Sequence, residues 1–203
     1  GKLEAEKAGS LIKNRDVKID FYYSSLQLRA NKTLKIIQKI LNDKKNYKRA
    51  WELNERHYGA LTSLNKIEMS KKLGQDKVHE FRRSWDVKPE PLSKKSPYHP
   101  TNIEVYKDIP KEMIPDTESL KDTYERVLNY FKNEMEEKLI KGNILVSAHG
   151  NSIRALCKYL FKLDNDKISK LEIPTGNPLI IDLNKELEIK SCEYLDKERA
   201  KDL

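Results

Sequence analysis

The stretch "NILVSAHGNSIRALCKYLF", residues 143–161, holds the pattern that decides the fold. Ile144 to Ala148 read as a short buried strand. A four-residue polar turn, His149 to Ser152, follows, and Ile153, Leu156, Leu160 and Leu163 then recur at helical spacing. A buried strand that passes straight into a helix suits an α/β layout, and the segments on either side repeat the alternation. Upstream, Leu120, Val127, Leu128, Phe131, Met135 and Leu139 form one stripe of a long helix, with Asp116 and Thr117 as candidate N-caps. Before it, residues 87–116 are rich in proline and lack periodicity, which reads as an irregular excursion lying over a site. Two helices fit between Lys66 and Trp85, and a short strand fits 47–53. A helix carries Ala30, Leu34, Ile37 and Leu41; "VKIDFYYSS" (17–25) reads as a strand; Leu3 to Lys13 opens the chain as a helix. Downstream, "NPLIIDL" and "LEIKSCEYL" read as the last strands, before a charged tail, 196–203, expected to be mobile. The expectation is one α/β domain over residues 1–203, with a mainly parallel central sheet flanked by helices.

Composition narrows the function. There is no apolar run long enough to span a bilayer, and two cysteines, Cys157 and Cys192, make no disulfide framework, which points to a cytoplasmic protein away from membranes. The net charge of +8 is spread along the chain and not gathered into a basic stripe interleaved with aromatics, which argues against a nucleic-acid partner. A diffuse positive field favours small anionic ligands.

Three strands end in polar, ligand-like residues: "SSLQLRANKT" with Arg29, "LNERHYG" with Glu55, Arg56, His57 and Tyr58, and "HGNS" with His149. Strand ends facing helix N-termini are where open parallel sheets bind anions. "FRRSWD" adds Arg82 and Arg83, two guanidiniums able to fork onto carboxylate or phosphate oxygens. Each motif alone has a structural explanation. "HGNS" suits a turn in which Gly150 takes a special backbone angle and Ser152 caps the helix, and the arginine pair suits a wet surface. Together, several arginines, a histidine at a strand end and a glutamate able to move a proton make a phosphoryl-transfer inventory, with no metal-ligand cluster and no P-loop.

"LNERHYG", "LTSLNK", "FRRSWDV", "ESLKDT", "SAHGNSIRAL" and "PTGNPLI" resemble, in order and spacing, the 2,3-bisphosphoglycerate-dependent phosphoglycerate mutases of the histidine phosphatase superfamily, over essentially Glu4 to Leu195. The resemblance implies a ping-pong exchange through a phosphohistidine that interconverts 3-phosphoglycerate and 2-phosphoglycerate in glycolysis and gluconeogenesis. It implies 2,3-bisphosphoglycerate as primer, no metal, small anionic phosphoglycerates as partners, and a homodimer or higher homo-oligomer. It makes Glu55 the general acid and base and His149 the stabiliser of charge on the transferring group. Arg29 would sit on the phosphoryl group, Arg56 and Tyr58 on the substrate, and Lys66 on its carboxylate. Arg82 and Arg83 would clamp the anionic ends, and Gly150 and Asn151 would add donors at the helix start. His57 stays structural, and His79 and His99 match no catalytic position. The family's first strand ends in an R-H-G motif whose histidine accepts the phosphoryl group, and these residues contain none. The sequence is therefore expected to lack the first strand, and this polypeptide to be inactive. Two alternatives stand beside the mutase: a bisphosphoglycerate synthase or phosphatase of the same family, and a catalytically dead phosphoglycerate-binding relative.

Overall fold

The computed structural model describes residues 1–202, the side chains of Lys66 and Arg82 excepted. Strands β1 (Phe21–Ser25), β2 (Tyr47–Ala50) and β3 (Ile144–Ser147) form a parallel sheet in the order β2-β1-β3. Tyr22 pairs with Tyr47 on one side and with Leu145 on the other. Because β1 is central and covered on both faces, alternation of polar and apolar residues is absent from it. Tyr22 packs with Ala8, Ile12, Leu34 and Ile37 of helices α1 (Lys2–Arg15) and α2 (Leu28–Leu41), while Tyr23 faces Leu53, Tyr130, Phe131 and Met135. The two helices approach closely at Gly9, where an added Cβ would lie 2.8 Å from Ile40 Cδ1.

Strand lengths differ from the periodicity. Residues 17–20 precede β1 without pairing, and the amides of Asp20 and Phe21 both donate to the Asn143 carbonyl. β2 ends at Ala50 and tightens into a 3₁₀ turn, Trp51–Leu53, which turns the chain away from the sheet just before Glu55. Helices α3 (Lys66–Leu73) and α4 (Gln75–Arg83) lie where they were expected, α3 opened by a capping box between Asn65 and Glu68.

The long helix begins later than Asp116 or Thr117. Ser119 is its N-cap, in a capping box with Asp122, because the two candidates are engaged elsewhere: Asp116 meets His99, and the Thr117 hydroxyl donates to the Pro89 carbonyl. The helix is also interrupted. Between α5 (Leu120–Tyr130) and α6 (Glu136–Lys141), residues Phe131–Met135 form a π-helical segment. The apolar stripe survives it, with Leu120, Val127, Phe131 and Met135 all buried.

After β3 come α7 (Gly150–Leu160) and α8 (Asn165–Lys170), then an antiparallel hairpin separate from the main sheet, β4 (Leu179–Leu183) with β5 (Ile189–Tyr194). The charged tail is tied down as far as Arg199. Asp196 is buried, pairs with Lys7 and Arg199 at 2.7 Å each, and exchanges two hydrogen bonds with Asn177.

Candidate active site

The three strand ends converge. Ser25 closes β1, Glu55 follows β2 and its turn, and His149 follows β3 at the N-cap of α7. His149 is buried, and both ring nitrogens are engaged. Arg29 donates its Nε–H to Nδ1 at 3.1 Å, so a neutral ring carries its proton on Nε2, which faces Ser25 Oγ at 2.8 Å. Burial first, then the cations of Arg29 and Arg126, hold its pKa down at about 3. The ring is a neutral donor with no free lone pair.

That shift has a consequence for stability. His149 titrates near 6.5 when unfolded and near 3 when folded, so on acidification the unfolded chain takes up the proton first. Its contribution is complete above pH 6.5 and is lost as pH falls toward 3. His57, lowered mainly by burial, adds in the same direction. Replacing His149 by Asn is expected to flatten the loss of stability between about pH 7 and about pH 5 in urea titrations; an unchanged slope would place the acid sensitivity elsewhere.

Glu55 is held by donors from two elements. Its Oε1 accepts from its neighbour's amide, Arg56 N, at 2.8 Å, and from Asn151 Nδ2 at 2.7 Å and N at 3.3 Å. The anion expected at the start of α7 is therefore, in this structure, the protein's own carboxylate. Asn151 Nδ2 also reaches the Tyr58 hydroxyl at 3.2 Å. Gly150 has no left-handed conformation; the glycines with positive φ are Gly59, Gly74 and Gly176. Ser152 lies one turn inside α7 and accepts the His149 amide at 3.1 Å, so the capping position belongs to His149. At Gly59 glycine is required, since φ is +55° and a Cβ would lie 2.1 Å from the Glu90 carbonyl oxygen.

Arg56 is the unusual cation. Its side chain is 2% exposed, its Nη2 donates to the Phe81 carbonyl, and its guanidinium stacks 4.5 Å from the Tyr58 ring centroid. Its Nε and Nη1 are buried without a partner among the described residues. A cleft of about 590 Å³ opens beside it, lined by Arg29, Glu55 and Arg56 and by Tyr98, Ile103 and Tyr106 of the proline-rich excursion. The excursion thus lines the cleft.

Arg29, Glu55, Arg56, Tyr58, His149, Gly150 and Asn151 thus gather in one place. Arg83 makes no hydrogen bond to them among the described residues: its guanidinium reaches the Ser169 carbonyl at 3.5 Å and Glu172 Oε1 at 3.4 Å. The assignments to Lys66 and Arg82 rest on side chains outside the described residues. Sequence reasoning passed over Arg154, which donates to Asn151 Oδ1 at 3.2 Å. The signal was its place three residues after Asn151, one turn on along the same helix face. It also passed over Ser25, Glu118 and Arg126. Among the described residues no group of three His, Cys, Asp or Glu side chains suits a metal ion, and no helix is long and apolar enough to cross a membrane.

The family model of the histidine phosphatase superfamily (branch 1) matches residues 1–102 and 96–189. The chain belongs to the histidine phosphatase superfamily. It is 66% identical over 204 residues to the 2,3-bisphosphoglycerate-dependent phosphoglycerate mutase of Pelagibacter ubique (strain HTCC1062), covering 100% of this chain and 86% of the relative. It is 46% identical over 197 residues to the enzyme of the same name from Borreliella burgdorferi (strain ZS7), covering 96% of this chain and 79% of that one. Solved structures agree on the fold. Bacillus stearothermophilus YhfR superposes with a TM-score of 0.65 at 16% identity, covering 93% of this chain and 79% of its own. The α-ribazole phosphatase from Shigella flexneri gives 0.64 at 16% identity, covering 93% and 78%.

Proposed function

We propose that the protein interconverts 3-phosphoglycerate and 2-phosphoglycerate by phosphoryl transfer through a phosphohistidine, primed by 2,3-bisphosphoglycerate, as a cytoplasmic enzyme of glycolysis and gluconeogenesis. The observation that carries this reading is Arg56, a buried guanidinium with two nitrogens lacking partners among the described residues, beside a cleft that also exposes Arg29 and Glu55. A buried cation of this kind calls for an anion, and a phosphate or carboxylate oxygen matches its fork. The names of the two relatives, at 66% and 46% identity, support the same chemistry.

The donor set fits a bisphosphorylated three-carbon acid: Arg56 and Arg29 for anionic oxygens, and Asn151 and Tyr58 for neutral hydrogen bonds. When bound, 2,3-bisphosphoglycerate supplies the phosphoryl group that primes the cycle. Glu55 accepts the proton of the attacking substrate hydroxyl and returns it to the hydroxyl that leaves, a task that suits a carboxylate held by Asn151 and the Arg56 amide at the cleft wall. His149, neutral and bonded to Arg29, keeps that guanidinium aimed at the transferring group and adds its own N–H dipole. With its Nδ1 accepting from Arg29, His149 suits the role of charge stabiliser better than that of phosphoryl acceptor.

The test is isomerisation of 3-phosphoglycerate by the protein carrying its acceptor histidine, with and without 2,3-bisphosphoglycerate. The expected result is conversion to 2-phosphoglycerate that depends on the primer. Release of inorganic phosphate without isomerisation would replace the mutase by a phosphatase.

A further inference from the structure

Glu55 sits on a segment with little regular structure. After the 3₁₀ turn ending at Leu53, residues 54–58 belong to no helix or strand, so their backbone groups need partners from elsewhere. Two side chains of the long helix region supply them. Glu118 and Arg126 are 3% and 9% exposed and form a two-pronged ion pair, Nε to Oε1 at 2.5 Å and Nη2 to Oε2 at 2.9 Å. Arg126 also donates to the Glu52 carbonyl at 2.5 Å, to that of Asn54 at 3.2 Å and to that of Glu55 itself at 3.4 Å. Glu118 accepts the His57 amide at 2.8 Å through Oε2, and its own amide donates to the His57 carbonyl at 2.8 Å. Backbone groups on both sides of the Glu55 side chain are thus fixed by one ion pair.

We propose that Glu118 and Arg126 are positioning residues for the Glu55 carboxylate, holding the backbone of residues 52–57 so that this group points at the substrate. The proposal rests on the mutase reading above. The pair's chemistry suits the task better than a hydrophobic contact would. A guanidinium has five N–H donors in a rigid plane and can satisfy a carboxylate and several carbonyls at once, whereas an ammonium concentrates its donors at one point. Both members of the pair also line the cleft, so the scaffold stands at its wall. Because Asn54 donates to the Tyr106 hydroxyl at 2.9 Å, the same clamp reaches the excursion over the cleft.

The test combines kinetics with hydrogen exchange. In the protein carrying its acceptor histidine, Arg126→Lys keeps the charge and loses the fork. Its kcat is expected to fall roughly 10- to 100-fold with KM changed less than about threefold, the effect of a misplaced reacting group and not of lost binding. In a Glu55→Gln background the same substitution is expected to cost almost nothing further, because it acts through Glu55. Additive losses in the double variant would overturn the proposal, since a purely structural role lowers both backgrounds alike. The second arm needs no activity: in Arg126→Lys and in Glu118→Gln, the His57 amide is expected to exchange at least about tenfold faster, with the helical amides of α2 unchanged. Unchanged exchange at His57 overturns the positioning role. If the unsubstituted protein proves to have no mutase activity, the reading of function fails by itself and the exchange arm still decides whether the clamp exists.

Discussion

Glu55→Gln is expected to lower turnover roughly 100-fold or more while leaving phosphoglycerate affinity nearly unchanged. Glutamine has the same size, and its carbonyl oxygen can still accept from Asn151 and from the amide of residue 56, the contacts that hold Oε1 in place. What it lacks is the capacity to take a proton from a hydroxyl and give one back. The effect should therefore appear in kcat and not in KM, the signature of an interaction made only in the transition state. Steady-state assays of the two proteins, both carrying the acceptor histidine, measure this directly. Near-normal turnover in the glutamine variant would rule out Glu55 as the group that moves the proton.

Much of this was legible in the sequence, for identifiable reasons. The parallel sheet followed from apolar strands passing directly into helices, and β3 into α7 was the clearest case because Ile144 to Ala148 carries no polar residue apart from Ser147. The excursion over residues 87–116 lines the cleft, as a proline-rich stretch without periodicity has no core of its own to build. Helix ends were harder. Asp116 and Thr117 are good N-caps by type, and only tertiary partners, His99 and the Pro89 carbonyl, explain why Ser119 caps instead. The π-helical segment at Phe131–Met135 left no trace in the hydrophobic stripe, which continues through it.

The site shows the same division. Glu55, Arg56 and Tyr58 follow β2 and its turn, and His149 and Asn151 stand at the start of α7, so the chain topology brings them near one another. Arg83 is harder to place from sequence because an arginine's long side chain can follow either wall of a helix, and here it reaches Glu172, far along the chain. Glu118 and Arg126 escaped notice for a related reason. In sequence they are charged residues in and just before a helix, a pattern that usually means solvent, and only burial at 3% and 9% reveals the ion pair.

The division of labour between His149 and an acceptor histidine is the central claim, and it makes the second large effect an all-or-none one. The chain contains four histidines. His99 is fully buried, with Thr101 on one ring nitrogen at 2.7 Å and Asp116 on the other at 2.9 Å. His57 is half-buried beside it, with Nδ1 taken by the Gly59 amide at 3.0 Å, and His79 is exposed on α4. His149 is in the site, yet Arg29 occupies its Nδ1 and Ser25 faces its Nε2. A ring nitrogen whose lone pair accepts a hydrogen bond must give up that contact before it can attack phosphorus, so this arrangement favours the stabilising role. The direct measurement is to incubate the 203-residue polypeptide with phosphorus-labelled 2,3-bisphosphoglycerate and follow acid-labile label on the protein by mass spectrometry. The expected result is no phosphohistidine and no isomerisation, with weak ligand binding through Arg29 and Arg56 retained. Stoichiometric phosphate on His149 together with turnover would contradict the account and make His149 the nucleophile.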